Sequence, residues 1–384
     1  MELMHEKPET LPEATKLTGR NVVTNSSMNC FKQCRRKFYY KYELGWRSGV
    51  EKTPLRIGRM VHFGLDLLAQ DKTIPEVLVS IREQYENAIA ALSSSYDDDP
   101  RMLALAYECE TVLILLTGYI EAWQNSGIVV LESEQTFTLP IMNPDTNYPA
   151  RIFGQAGKRD RICRLPDTRI ALMETKTSSE DIGPDSEYRH VLVLNQQISM
   201  YVLAAKEEGK NIETTLYDCI RKPTIRPSQV ALTDIDNLKI VLDSEGERVL
   251  KKDGAPRQTG DTAKGYVLQS RPMTPEEWAE KLKADIEVRP AFYFQRFEVS
   301  RLEKDLDEFR HELWDISQDI HHCRKNNLWY RNISNCRAYH NMCTYYQLCA
   351  GEIDTSYGCP GGFRQVENVH EELEDENGNQ HEER

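Results

Sequence analysis

No stretch of this 384-residue chain holds the ~18 consecutive apolar residues of a membrane-spanning helix, so no membrane partner is expected. The start, MELMHEKPETLPEATKLTG, lacks the basic-then-apolar order of a signal peptide. Both absences point to a reducing, cytoplasmic setting, where the ten cysteines read as thiols, ligands or core residues rather than disulfides. There is no G-x-x-x-x-G-K-[ST] phosphate loop, so any motor working with this chain would be a separate protein. There is no internal repeat. Basic residues are outnumbered too, and a net charge of −13 weighs against a protein that simply coats nucleic acid. The imbalance is uneven, however. QVENVHEELEDENGNQHEER at the end is acidic and CRRKFYYKY near the start is basic, and phosphate binding depends on the local surface.

An apolar fraction of 40% and a charged fraction of 28% are those of a globular protein. Residues 1–25 are polar and aperiodic and read as a flexible arm. From Ser26, MNCFKQCRRKFYYKYELGW has apolar residues at helical spacing, and further helices are expected over PLRIGRMVHFGLDLLAQ, 74–93 and 100–125. The period then changes to two. IVVLESEQTFTLPI, ARIFGQAGKRDRICRL and RIALMETKT read as strands of a mostly antiparallel sheet. One long helix is expected over EYRHVLVLNQQISMYVLAAKEEG, then a strand in TTLYDCIRKP. Residues 224–272 read as an insertion, TPEEWAEKLKADI as a helix with a capping box, AFYFQRFEV as a strand and 299–325 as a helix. Residues 359–384 read as an acidic disordered tail. The order gives an α/β core wrapped by helices.

The most informative stretch is GKRDRICRLPDTRIALMETKTSS. Glu174 and Lys176 are two apart on a strand and project to one face, and a hairpin can bring Asp160 beside Glu174. Adjacent carboxylates repel, and a hard divalent cation such as Mg²⁺ or Mn²⁺ relieves them. A lysine beside that cation could orient water and stabilise charge growing on a phosphoryl group. The plainer reading is a surface hairpin with unremarkable charges. Two other features bear on the choice. His62 sits against the apolar face of its helix, as a core residue or as a third ligand. Gln197 and Tyr201 share a helix face four residues apart, either as part of an amphipathic helix or facing the lysine or a phosphate.

The order G-x-x-x-H, D, E-x-K, Q-x-x-x-Y resembles the PD-(D/E)xK nuclease superfamily, in its RecB-like exonuclease branch. That branch includes the AddB nuclease domain and CRISPR-associated and phage exonucleases. The resemblance spans about Ser26 to Cys349, within a nuclease domain placed at 26–358. It implies a restriction-endonuclease-like core, a central mixed sheet flanked by helices. His62, Asp160, Glu174 and the Thr175 carbonyl would be metal ligands, Lys176 the catalytic lysine, and Gln197 and Tyr201 its support. The implied activity is a Mg²⁺- or Mn²⁺-dependent DNA exonuclease acting on single strands or ends, in phage or bacterial recombination or repair. The alternatives are a subunit of a helicase–nuclease or CRISPR spacer-acquisition complex, and a non-catalytic DNA-binding adaptor. Oligomeric state is left open.

Cys336, Cys343 and Cys349 lie close in CRAYHNMCTYYQLC, a partial ligand set on its own. The resemblance supplies a fourth, Cys34, and implies a [4Fe–4S] cluster. Cys30 is the rival to Cys34, and Cys323 and Cys359 are rivals to Cys336. Zinc is the less favoured metal, because the intervals exceed those of C-x₂₋₄-C pairs. Arg35, Arg36, Lys37 and Tyr39 are either nucleic-acid contacts or packing of the first helix.

Overall fold

A computed structural model describes residues 21–48, 53–93, 99–338 and 341–373. Strand β1 (Val22–Val23) precedes α1 (Asn25–Gln33), whose start is fixed by Thr24 and Ser27 in a reciprocal capping box. Cys34, extended at φ −165°, interrupts the single helix expected from Ser26. The chain then forms α2 (Arg35–Phe38), a π-turn over Tyr39–Glu43 and β2 (Trp46–Ser48). Helices α3 (Thr53–Ala69), α4 (Ile74–Ser93) and α5 (Pro100–Trp123) follow as expected. By length and composition α5 could cross a membrane, but here Val112, Leu115 and Leu116 are buried in a core shared with α3 and α4.

The central sheet begins with β3 (Val129–Met142), β4 (Pro149–Arg164) and β5 (Ile170–Ser178). The chain then crosses through α6 (Glu187–Val193) and α7 (Gln196–Glu207) to β6 (Thr214–Arg221). The expected single helix is two, because the Asn195 side chain accepts the Gln197 N–H and caps a new start. Strands β3–β4 and β4–β5 pair antiparallel, as expected, while β1–β4 and β5–β6 run parallel, so the sheet is mixed.

Residues 224–272 hold β7 (Gln229–Ala231), β8 (Val241–Leu242), β9 (Val267–Leu268) and β10 (Ser270–Pro272), paired β7–β10 and β8–β9 apart from the central sheet. Then come α8 (Pro275–Val288), α9 (Pro290–Tyr293), β11 (Phe294–Val299) beside β6, and α10 (Glu303–Asn326). The last elements are β12 (Arg337–Ala338), β13 (Asn341–Met342), α11 (Tyr346–Ala350) and β14 (Phe363–Gln365).

Alternation on the strands divides the core. Leu172, Tyr217 and Phe297 pack with residues of α1, α7 and α10. Ile220 and Phe294 pack with residues of α3, α4, α5 and α8. Helices therefore flank the mixed sheet in an α/β architecture.

Both ends are ordered further than expected. Val22 and Val23 are buried and pair in parallel with Gly154 and Gln155, so the arm drawn over 1–25 is cut short by two apolar residues that complete the sheet. At the other end β14 pairs with β2, and Val369 and His370 are buried, so the tail drawn from 359 is docked as far as Leu373. Residues 1–20 and 374–384 lie outside the described residues.

Candidate active site

Strand β4 makes the site possible by its incomplete pairing. One edge pairs with β3 along its length, while the other meets β1 at Gly154–Gln155 and β5 only from Arg161 onward. On that second edge, between those contacts, no strand among the described residues covers 156–160. Past Arg161↔Met173 the strands part, and a side chain replaces the ladder: Asp160 Oδ2 accepts the Thr175 backbone N–H at 2.7 Å. Asp160 and Glu174 are thereby held side by side on one face of the sheet.

Glu174 is buried, with its Oε1 accepting from Lys176 Nζ at 2.6 Å. Its Oε2 is buried and has no hydrogen-bond partner. Burial, reinforced by the charge of Asp160, pushes the Glu174 carboxyl up to about 8. Burial alone would lower the Lys176 ammonium, but Glu174 and Asp160 outweigh it and hold it raised. Lys176 also donates to Gln197 Oε1 at 2.7 Å, and Gln197 Nε2 donates to the Tyr201 hydroxyl at 3.0 Å. A chain from Glu174 to Tyr201 thus fixes the lysine from both sides.

His62 comes from α3, with Nδ1 3.7 Å from Asp160 Oδ2. One turn earlier, Gly58 lets the helix approach β5: a Cβ there would stand 2.7 Å from Thr177 Oγ1. Burial lowers the His62 pKa against the pull of Asp160, which favours the neutral imidazole that metals bind. The sequence-expected set of His62, Asp160, Glu174, Thr175, Lys176, Gln197 and Tyr201 is gathered in one region. Of this set, His62, Asp160, Gln197 and Tyr201 line a cavity of about 660 Å³, together with Arg59 and Lys158.

Two features of this cavity were not expected. Glu134, on β3, lies across from Asp160, between the pairs Ser133↔Arg161 and Gln135↔Arg159. Ligand atoms of His62, Glu134 and Asp160 all fall within 4.8 Å of one another. Burial, then Asp160, pushes the Glu134 carboxyl up to about 7, while Lys158 Nζ pairs with it at 2.6 Å. Its φ of +51° is unusual inside a strand for a residue with a side chain. The signal available was the hairpin register rather than any local motif. The second feature is the docked Glu371–Leu373 on the cavity wall. Glu372 accepts from Thr24 Oγ1 at 2.7 Å, and Glu371 pairs with Arg47 at 3.0 Å.

The opposite sheet face carries a different set of charges. Arg161, Thr175 and Asp218 point away from the cavity, toward α5. Asp218 is fully buried and takes Arg296 Nε at 2.9 Å, Arg161 Nη2 at 3.3 Å and the Tyr119 hydroxyl. Arg161 also donates to Thr175 Oγ1.

Seven of the ten cysteines lie toward the chain's two ends. Burial, and then the thiols of Cys34 and Cys343, raise the Cys349 pKa, so these three are electrostatic neighbours. Cys336 joins through its backbone, its carbonyl accepting the Cys343 N–H at 2.7 Å. Cys30 is buried, with burial pushing its thiol up to about 11, yet it too feels Cys34 and Cys343. Cys323 is buried in α10, with its sulfur accepting from Arg35 at 3.5 Å, while Cys359 packs on the same aromatic cluster as Cys343 and Cys349. All ten cysteines are free thiols. A group of neighbouring thiols is a donor set that suits a bound cation.

Of the basic–aromatic run, most members are committed within the protein. Arg35 pairs with Asp319 at 2.5 Å and lies over the Tyr330 ring. Arg36 Nε donates to Trp329 O at 2.7 Å, and Tyr39 packs on Trp329. Lys37 donates to Gln33 at 3.2 Å.

The parted strands thus bring Asp160, Glu174 and Lys176 together beside a cavity that Asp160 lines. A family model for the PD-(D/E)XK nuclease superfamily matches residues 22–350, and the chain belongs to that superfamily. It is therefore a nuclease by family, of a class that uses divalent metals, with the restriction-endonuclease-like fold. No curated protein matches the chain. Among solved structures, one titled "Crystal structure of SSO0001" is 13% identical over 57% of this chain and 87% of that one, with a TM-score of 0.20, a likeness too slight to bear weight.

Proposed function

We propose that this protein is a Mg²⁺- or Mn²⁺-dependent DNA exonuclease of the RecB-like branch, acting on single strands or ends. The observation that supports this best is the site where β4 and β5 part, with Asp160 locked to Thr175 and Glu174 carrying an unpartnered buried oxygen beside it. An orphaned carboxylate oxygen facing a second carboxylate suits a divalent cation, which His62, Asp160, Glu174 and the Thr175 carbonyl would hold. Such a cation supplies Lewis-acid charge stabilisation and a more acidic bound water.

The chain's own residues do the positioning. Lys176, gripped by Glu174 and Gln197, keeps its Nζ charged next to the cavity, where it orients water and meets negative charge growing on a phosphoryl oxygen. Tyr201 fixes the Gln197 amide so that its oxygen faces the lysine. Lys37 is the member of the basic run best suited to a phosphate contact, since Arg35 and Arg36 are held internally. Glu174→Ala and Lys176→Ala should each cut Mn²⁺-dependent nucleotide release from end-labelled single-stranded DNA by about 10²–10³-fold. Wild-type rates in either variant would overturn the assignment.

Cys34, Cys336, Cys343 and Cys349 are proposed to bind a [4Fe–4S] cluster that ties the first helices to the last segment. The electrostatic proximity of Cys34, Cys343 and Cys349 supports it. Protein purified without air should contain iron and acid-labile sulfide in equal amounts, and Cys343→Ala should lose both together with thermal stability. Zinc without iron in the wild-type protein would overturn the cluster.

A further inference from the structure

We propose that Glu134 is a metal ligand, holding a divalent cation together with His62 and Asp160. This rests on the nuclease reading above but adds a residue from outside its motif set. Three observations carry it. The ligand atoms of the three residues lie within 4.8 Å of one another around an open cavity. They offer one imidazole nitrogen and two carboxylates, a donor set suited to Mn²⁺ or Mg²⁺ with waters completing the shell. Independently, the buried Glu174 side chain, next to Asp160 and within reach of the charge of Glu134, leaves its Oε2 without a partner. Two of these carboxylates, Glu134 and Asp160, line the cavity and the third, Glu174, is next to Asp160, while the two lysines nearby pair with only part of them. Lys176 takes Glu174 Oε1, and Lys158 takes Glu134 Oε2. A buried carboxylate oxygen left bare is costly unless something positive occupies the space before it.

The ion pair with Lys158 offers a rival explanation, in which Glu134 serves only to hold that lysine. Metal affinity separates the two. Mn²⁺ binding is measured on the full chain without DNA, from the electron-spin-resonance signal of free Mn²⁺, with circular dichroism and thermal melting as folding checks. Glu134→Gln should weaken Mn²⁺ binding by about tenfold or more. Lys158→Met, which leaves the carboxylate in place, should bind Mn²⁺ as tightly as wild type or more so. Wild-type affinity in Glu134→Gln, or an equal loss in both variants, would overturn the proposal. If Glu134→Gln does not fold, Glu134→Asp takes its place: weaker binding supports the role, and wild-type binding overturns it. Asp160→Asn serves as the reference. If it too binds Mn²⁺ normally, the nuclease reading fails along with this one. If it loses Mn²⁺ while Glu134→Gln does not, only the role of Glu134 fails.

Discussion

Two charged clusters sit back to back on the same strands, one residue apart in sequence, and they are built by opposite rules. On one face Asp160 and Glu174 crowd together, with Glu134 across the hairpin and one carboxylate oxygen bare. On the other face Arg161 and Thr175 meet Asp218, Arg296 and Tyr119 in a network that satisfies a fully buried aspartate from three donors and leaves Arg296 Nη1 as its buried atom without a partner. Buried charge that is paired is costly to break, whereas a buried carboxylate with a raised pKa and a bare oxygen is a candidate for chemistry. Period-two alternation lets one pair of strands carry both without mixing them.

The comparison can be broken from either side. Asp218→Ala strips the network of its centre and leaves two arginines facing an apolar core, so it should destabilise the protein by about 3–5 kcal/mol in urea unfolding. Glu174→Gln removes a charge of the same kind from the other face, yet the metal-free protein should stay within about 1 kcal/mol of wild type or exceed it at pH 8, because repulsion from Asp160 is relieved. A loss as large as that of Asp218→Ala would mean that the two faces do not differ as described. The finest test is Tyr201→Phe, which keeps the ring and deletes one neutral hydrogen bond to Gln197. It should slow nucleotide release about fivefold at saturating Mn²⁺, in line with ~1 kcal/mol for such a bond, with no change in stability of similar size.

Much of the geometry of the acidic face was legible in the chain. The ExK spacing puts Glu174 and Lys176 on one side of a strand, and the i, i+4 spacing aligns Gln197 with Tyr201, both local rules that tertiary structure did not override. The G-x-x-x-H spacing likewise has a cause, since Gly58 is where the helix nears β5. Glu134 escaped notice because its relation to Asp160 is set by hairpin register, which alternation alone does not fix. The paired network escaped for a similar reason: Asp218 and Arg296 meet Arg161 only once β6 and β11 are placed. Nothing local marks Glu371–Leu373 as part of the cavity wall, because a charged tail reads as solvated until its partners, Thr24 and Arg47, are known. The run at Arg35–Tyr39 showed the reverse. Its basic–aromatic composition pointed outward to nucleic acid, while Trp329 and Tyr330, some 290 residues away in sequence, engage much of it.

The point where β4 and β5 part has one more consequence. The Thr175 amide proton is held by a side chain, where its neighbours along the ladder are held by carbonyls. Its exchange with solvent deuterium therefore records how often the Asp160 carboxylate lets go, independently of whether the sheet as a whole opens. A single amide resonance thus becomes a gauge of the Asp160 carboxylate at rest, legible before any metal or nucleic acid is added.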